Sequence, residues 1–337
     1  MILILTEPTD PHADHMEQKL RERGAEFIRF DPAEFPSNAE ISHSFGVNGQ
    51  LESRLSLGRK RVDLDDLKSV WYRRPSASVP HAEIADKLTR DYVVEECKRF
   101  MHDTWNSLDS LWLPGPESVI RRAELKASQL KAAASIGFEL PPTLFTNSPA
   151  DFLDFYRKHN GNIVSKLTSS ALYKYIAKDF SRYTQVVSRR DVAHSRSIRL
   201  SPVIFQAYVP KRVELRITVV GGEVFAAEIH SQHSNHTRHD WRRYDHFQTP
   251  YFPHELPAHV QQLCVQLVER LGLCYGAIDM VLTPDDRYVF LEINPNGQYL
   301  WIEIMTGLPI SDAVCDLLMS GNRAYQSAPQ PSHSYAG

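Results

Sequence analysis

Residues 274–296 contain two apolar runs separated by a polar turn at residues 284–287, which predicts a β-hairpin, and each apolar run is interrupted by one acidic residue. A constant register through this hairpin places Asp279 directly opposite Glu292. Asn294 lies on the same face as Glu292, because side chains alternate along a strand. Two carboxylates and one amide oxygen are hard ligands of the kind that Mg²⁺ prefers. The sequence therefore predicts a magnesium site on one face of the hairpin.

Magnesium in proteins usually arrives with phosphate groups, so lysines are expected near these acids. Lys126 lies on the predicted helix that opens the second domain, and Lys166 lies near the end of an apolar predicted strand. The chain has no G-x-x-x-x-G-K-[ST] loop and no G-x-G-x-x-G fingerprint, so a bound nucleotide would be held by another fold. It also has no G-x-S-x-G elbow, and no cysteine–histidine pair is marked by its spacing.

The beginning of the chain reads as strand, helix and strand, which predicts a parallel α/β unit. A Pro-Gly-Pro sequence at residues 114–116 predicts a linker, so this first domain spans residues 1–115. Its predicted elements are strands at residues 1–5, 25–30 and 69–72, a helix that stops at Gly24 and a helix at residues 91–108.

A new domain begins with a helix predicted over residues 118–136, with Ser118 as its N-cap and Gly137 as its stop. Residues 257–271 form a strongly amphipathic helix. The stretch of residues 232–253 has no clear periodicity and predicts a long functional loop. The other predicted elements are strands at residues 143–146, 162–167, 203–209, 213–220 and 223–231 and a helix at residues 149–158 that follows Ser148.

The composition argues against several classes of protein. The 337 residues include 38 Lys and Arg against 41 Asp and Glu, and this charge of -3 does not suit a general nucleic-acid or membrane-surface binder. No stretch approaches the ~20 apolar residues of a membrane span. The four cysteines have no C-x-x-C spacing, so we expect a cytoplasmic protein without a cysteine-rich zinc site.

A basic segment stands out against this acidic total. Residues 182–243 hold 11 Lys and Arg against 5 Asp and Glu, which suits an acidic peptide substrate. Its histidines could be metal ligands, but they have no ordered spacing and no accompanying cysteines. We therefore expect the following residues to close over substrate: His230, His233, His236, Arg238, His239, Asp240, Trp241 and Arg242.

The order of these candidate residues resembles that of the ATP-grasp ligases. The resemblance runs from about residue 117 to residue 318 and includes QAYV at 206–209, ELR at 214–216 and EIN at 292–294. Two longer strings, VWYRRP at 70–75 and LEINPNGQYLWIE at 291–303, are similar to the graspetide (microviridin-type) peptide ligases. Members of that family cross-link side chains of a ribosomally made precursor peptide.

The resemblance implies an ATP-grasp fold of mixed α/β and α+β class with an N-terminal preATP-grasp domain. The expected division is a preATP-grasp domain at 1–115, a central lobe at 116–206, a C-terminal lobe with the magnesium site at 207–325 and a disordered tail at 326–337. A homodimer is also expected.

The resemblance also implies roles for individual residues, with ATP and two Mg²⁺ ions as cofactors. Ala207 stands where many ATP-grasp enzymes have Glu, which matters little if adenine is read by backbone groups. The implied roles are metal binding by Asp279, Glu292 and Asn294, phosphate binding by Lys126 and Lys166, adenine contact by Gln206, Ala207, Tyr208 and Val209, ribose contact by Glu214, stabilisation of the reacting groups by Arg216, and substrate contact by Arg73, Arg74, Asp240 and Arg242.

The implied reaction is transfer of the ATP γ-phosphoryl group to an Asp or Glu side chain of the precursor peptide. The resulting acyl phosphate is attacked by a hydroxyl or an amine, which forms an ester (macrolactone) or an amide (macrolactam). The alternatives that stay open are a glutathione synthetase-like or glutamate-adding ligase, a phosphotransferase of the same fold and a non-catalytic peptide-binding scaffold.

Overall fold

The N-terminal part of the chain forms two small sheets in a computed structural model that describes residues 1–166, 173–175, 178–180, 184–233 and 249–326. Its elements are β1 (Ile2–Thr6), α1 (Pro11–Glu22), β2 (Phe27–Phe30), β3 (Ala39–Phe45), β4 (Leu51–Leu57), β5 (Lys60–Asp63), β6 (Ser69–Arg74), α2 (Lys87–Ser107) and β7 (Leu111–Leu113). Strands β2-β1-β6-β7 form a parallel sheet, which confirms the predicted α/β unit. Strands β3-β4-β5 form an antiparallel sheet that the apolar pattern does not predict, because most of its residues are polar and many are exposed.

The middle of the chain forms a four-stranded antiparallel sheet of order β12-β9-β13-β8. Helix α5 begins where predicted, because the Ser148 side chain accepts a hydrogen bond from the Asp151 N–H. The elements are α3 (Glu117–Ala123), α4 (Lys126–Ile136), β8 (Thr143–Thr146), α5 (Pro149–Lys158), β9 (Ile163–Lys166), β10 (Tyr173–Tyr175), β11 (Lys178–Phe180), β12 (Gln185–Val186), α6 (Arg189–Ala193) and β13 (Val203–Ala207).

The single helix predicted over residues 118–136 is wrong. The chain forms α3 and α4 instead, because Leu125 takes an extended conformation between them, with φ -69° and ψ 110°. The Gln129 side chain caps the break by donating to the carbonyl of Ala123 at 2.7 Å. The break makes Lys126 the first residue of α4, and Gly137 ends that helix in a left-handed conformation as predicted.

The C-terminal part is built on a five-stranded antiparallel sheet of order β16-β15-β14-β17-β18. Its elements are β14 (Val213–Val220), β15 (Glu223–Ile229), β16 (Tyr251–Pro253), α7 (Ala258–Arg270), β17 (Tyr275–Leu282), β18 (Tyr288–Asn294), α8 (Leu300–Thr306) and α9 (Ile310–Ser320). Strand β16 corrects the loop predicted over residues 232–253, because the last residues of that stretch pair with β15.

Alternation along β14 gives this sheet two different faces. Leu215 and Ile217 pack into a core that α7 covers, whereas Glu214 and Arg216 point to the opposite face. All four cysteines are buried, which is typical of free cysteines because they pack as small apolar residues. Within the described ranges, none of the helices combines the length and the apolar character that a membrane span requires.

Candidate active site

A cleft lies between the four-stranded and the five-stranded sheet. The chain passes from one sheet to the other between β13 and β14, and this connection forms one wall. The predicted cofactor and metal residues that line the cleft are Lys166, Gln206, Ala207, Tyr208, Val209, Glu214, Asp279 and Glu292. The lining residues that the sequence did not indicate are Val164, Thr184, Lys211, Val281 and Leu291.

The connection between the sheets is held by hydrogen bonds at its beginning. The Tyr208 N–H donates to the carbonyl of Asn162 at 2.8 Å, and the Ala207 N–H donates to the carbonyl of Pro142 at 2.9 Å. Gln206 is buried, and its side chain donates to the Thr143 hydroxyl at 3.0 Å rather than to solvent. The course of the chain beside the cleft is therefore determined by the β8–β13–β9 part of the sheet.

The predicted pairing of Asp279 with Glu292 across the β17–β18 hairpin is confirmed. The constant register is wrong, however, in the half of the hairpin nearest the turn. There Met280 pairs with Phe290, so that Leu291 is an extra residue between two paired positions. This β-bulge adjoins the two acids.

The packing of the core accounts for the bulge. Phe290 and Ile293 are three positions apart, yet both are buried in the core beneath the sheet. The two residues between them, Leu291 and Glu292, both line the cleft. The bulge therefore places an apolar side chain and a carboxylate side by side on the cleft wall.

Each of the two acids forms an ion pair with a cation from another element. Lys126 Nζ, at the start of α4, lies 2.7 Å from Glu292 Oε2. Arg216 Nη1, on the neighbouring strand β14, lies 2.9 Å from Asp279 Oδ1. Two acids facing each other in a partly buried site would otherwise repel, and these pairs offset that repulsion.

A third ion pair closes the end of the cleft near the connection. Lys211 Nζ lies 2.9 Å from Glu214 Oε1, and both side chains are 7% exposed. The Ser231 hydroxyl donates to the same carboxylate oxygen at 2.7 Å. Lys211 lies before β14, so the alternation of side chains along that strand does not predict where Lys211 points.

Asn294 is less enclosed than the two acids. It is exposed at the end of β18, and its Oδ1 accepts a hydrogen bond from the Asn296 N–H at 3.1 Å. An amide oxygen has two lone pairs, so this contact leaves one for a second interaction. The side chain lies two residues beyond Glu292 on β18, and it is not part of the cleft lining.

The structure describes the side chains of only three candidate substrate residues, two at the end of β6 and one directly after β15. Arg74 is exposed at the end of β6, whereas Arg73 is 3% exposed and donates through Nη1 to the carbonyl of Asn296 at 3.2 Å. His230 pairs with Glu228 at 2.8 Å. The remaining candidates lie outside the described residues, or have side chains that do: His233, His236, Arg238, His239, Asp240, Trp241 and Arg242. Within the described part of the chain, no group of three or more His, Cys, Asp or Glu is arranged to hold a metal.

Comparisons with known proteins identify the family. Residues 1–119 match the MvdD pre-ATP grasp domain, and residues 122–318 match the RimK-like ATP-grasp domain. A search of the curated proteins finds no match.

Solved structures resemble the whole chain. A RiPP-associated ATP-grasp ligase from Chryseobacterium gregarium, in complex with ADP and a leader and core peptide, is 32% identical with a TM-score of 0.88, covering 98% of this chain and 99% of that one. The macrocyclase MdnC from Microcystis aeruginosa, bound with its precursor peptide MdnA, is 29% identical with a TM-score of 0.82, covering 95% and 99%. The ligase PsnB, complexed with a minimal precursor, Mg and ADP, is 20% identical with a TM-score of 0.75, covering 95% and 96%, which shows a shared fold.

The two domain matches cover residues 1–119 and 122–318, and the Chryseobacterium protein that matches 98% of the chain is an ATP-grasp ligase. The chain therefore belongs to the ATP-grasp peptide ligases of the graspetide (microviridin-type) family, with a pre-ATP-grasp domain preceding the ATP-grasp fold.

Proposed function

We propose that this enzyme activates Asp or Glu side chains of a ribosomally made precursor peptide as acyl phosphates and joins them to hydroxyl or amine side chains of the same peptide. The observation that carries this proposal is the pair of facing acids, Asp279 and Glu292, with a cation on each, in a cleft between two sheets. The likeness to ligases bound to leader and precursor peptides supports the choice of substrate.

The donor set fits magnesium bound together with a nucleotide. Asp279, Glu292 and Asn294 would supply oxygen ligands for two Mg²⁺ ions, which would neutralise charge on the phosphoryl oxygens. Lys126 starts a helix and faces Glu292, so it is placed to exchange that carboxylate for a phosphate. Lys166 would contact the phosphates from the opposite sheet.

The other cleft residues would hold the rest of the nucleotide. Residues 206–209 would border the adenine, with Leu291 and Val281 as apolar surface on the opposite wall. Glu214 would accept hydrogen bonds from the ribose, and Lys211 and Ser231 orient its carboxylate for that purpose.

Arg216 would act on the reacting groups. Its Nη1 is held by Asp279 and its Nη2 by the carbonyl of Gln298 at 3.2 Å, so the planar guanidinium has a defined orientation. A fixed positive group stabilises the negative charge that develops on the phosphoryl and carboxyl oxygens without reorganising during the reaction. The substrate's own nucleophile completes the reaction, and no covalent intermediate on the enzyme is required.

The peptide side of the proposal rests on charge. The basic segment at residues 182–243 would attract an acidic core peptide, and exposed Arg74 would meet it from the N-terminal domain. We also propose that the domains span residues 1–115, 116–206 and 207–325, that the enzyme is a homodimer and that it is cytoplasmic.

Mass spectrometry after mixing the full chain with ATP, Mg²⁺ and candidate precursor peptides tests this function. Loss of one water for each bond formed is expected. Gain of a phosphate on the peptide would indicate a phosphotransferase instead, and an unchanged peptide mass across acidic precursors encoded near the gene would contradict peptide ligation. The same assay with free amino acids distinguishes a small-molecule ligase.

A further inference from the structure

Two sequence strings that lie far apart along the chain are in direct contact. VWYRRP at residues 70–75 contains Arg73, and LEINPNGQYLWIE at residues 291–303 contains the loop 296–298. Arg73 Nη1 donates to the carbonyl of Asn296 at 3.2 Å. The N-terminal domain thus contacts the chain directly after β18, the strand that carries Glu292.

Three consecutive carbonyls of this loop are each held by a side chain from a different strand. The hydroxyl of Tyr275, on β17, donates to the carbonyl of Gly297 at 2.6 Å. Arg216, on β14, donates through Nη2 to the carbonyl of Gln298 at 3.2 Å. With Arg73 on β6 these residues form a three-point support of the loop.

The loop lies so close to its supports that only glycine fits at its centre. A Cβ on Gly297 would lie 2.2 Å from the Cβ of Ala277 and 2.6 Å from Arg216 Nη2. Both distances are far inside van der Waals contact. The backbone of the loop therefore packs directly against the arginine that faces the reacting groups.

Arg73 is enclosed on the N-terminal side of the same support. Its side chain is 3% exposed, and its Nε lies 3.4 Å from Oδ2 of Asp10, which is 1% exposed. Asp10 is held in turn by the Thr6 hydroxyl at 2.9 Å and by the His12 N–H at 3.0 Å. Of the guanidinium nitrogens, Nη1 is the one that makes a hydrogen bond to a described residue, and it is directed towards the loop.

We propose that Arg73 is a positioning residue, which acts on the ligation reaction through the loop 296–298 and Arg216 rather than by contact with the peptide. The expected effect on turnover rests on the proposed function, whereas the support of the loop by Arg73 rests on the fold alone. Loss of the Arg73 contact loosens the loop and misorients Arg216, so the turnover rate falls while nucleotide affinity stays unchanged.

The decisive variant is Arg73→Lys, because lysine keeps the positive charge beside Asp10 but loses the rigid fork of donors. Arg29→Lys is the matched control, since Arg29 lies on the same sheet, pairs with Asp14 and does not touch the loop. We expect kcat to fall at least tenfold in Arg73→Lys, with ADP affinity and the melting temperature close to those of the control. Unchanged kcat, or a matching loss of peptide affinity with kcat preserved, would overturn the proposal.

Hydrogen exchange separates this inference from the proposed function. Amides in the peptide that spans residues 294–300 should exchange at least tenfold faster in Arg73→Lys than in Arg29→Lys, whether or not any peptide is ligated. Equal exchange in the two variants would show that Arg73 does not hold the loop. A wild-type enzyme that ligates no peptide would instead count against the proposed function alone.

A double-mutant cycle tests the route through Arg216. If Arg73 acts through Arg216, then Arg73→Lys should reduce ligation less than twofold further in an Arg216→Lys background that retains measurable turnover. Full additivity of the two losses would indicate a general structural role and would refute the positioning role. Gly297→Ala provides a third variant, and it should reproduce the loss of kcat because its Cβ displaces Arg216.

Discussion

Two ion-paired regions flank the loop 296–298, and they differ in how far water reaches them. Glu292, which lines the cleft, and its partner Lys126 have side chains that are 22% and 25% exposed. On the N-terminal side, those of Arg73 and Asp10 are 3% and 1% exposed. A hydrated pair exchanges partners at low cost, whereas separating a buried pair leaves an uncompensated charge. The cleft pair is therefore suited to exchange a partner for a ligand, and the N-terminal pair to maintain geometry.

The strongest test of the cleft side is removal of either acid. Asp279→Asn or Glu292→Gln should abolish turnover if these acids hold Mg²⁺ as proposed, because loss of a carboxylate that would hold the phosphate-neutralising metal costs at least several kcal/mol of transition-state stabilisation. Folding and peptide affinity should stay close to wild type. Turnover measured by mass spectrometry above about a tenth of wild type in either variant would remove that acid from the metal site.

The arginine between the two regions gives the next largest effect. Arg216→Ala should lose cross-linking, while affinity for a leader-only peptide is almost unchanged, because leader binding does not require the reacting carboxylate to be held. Calorimetric titration with full-length precursor and with leader alone checks this. A leader affinity weakened by more than about tenfold, roughly 1.4 kcal/mol, would place Arg216 on the docking surface instead.

If Lys126 exchanges Glu292 for a phosphate, its removal should have opposite effects on the affinities for Mg²⁺ and for ATP. Lys126→Met should strengthen Mg²⁺ binding in the absence of nucleotide, because Glu292 no longer has a competing cation, and should weaken ATP binding by about tenfold. Lys131→Met, an exposed lysine on the same helix, is the control. Calorimetry with Mg²⁺ alone and with ATP measures both, and weaker Mg²⁺ binding in Lys126→Met would contradict the exchange.

The buried region around Arg73 and Asp10 predicts a small dependence of folding stability on pH. Burial, and after it the charge of Arg73, lowers the pKa of His12 to about 3. The folded state therefore favours neutral His12, and its contribution is complete above the unfolded pKa of about 6.5 and declines as pH falls from there towards 3.

The free energy of unfolding should accordingly fall by about 1 kcal/mol between pH 7.5 and pH 5.5 through this residue. His12→Gln binds no proton and should show a correspondingly flatter profile in urea unfolding at the two pH values. An identical pH dependence in the two proteins would mean that protonated His12 is tolerated in the folded state.

The pairing of the two acids was predictable because it follows a local rule, in which the hairpin places Asp279 opposite Glu292. Glu214 and the residues 206–209 were indicated instead by the resemblance to ATP-grasp ligases, and they line the cleft as well. The first α/β unit likewise follows from apolar strands separated by a polar helix.

The remainder depends on contacts between distant residues, which no local pattern encodes. Lys211 enters the cleft because the connection between the sheets turns it there. The break at Leu125 is stabilised by Gln129, whose side chain also donates to the carbonyl of Ile293 on the distant hairpin. The enclosure of Arg73 requires the C-terminal loop to be folded against it.

The bulge at Leu291 has a consequence for how the cleft can be reshaped. If this residue were removed, plain alternation would still bury Phe290 and Ile293 and would still set Glu292 opposite Asp279. The pairing of the two acids therefore does not need the extra residue, whose side chain lines the cleft. The shape of the cleft wall and the placement of the acids are thus determined separately, so a substitution at Leu291 should change the wall without moving Asp279 or Glu292.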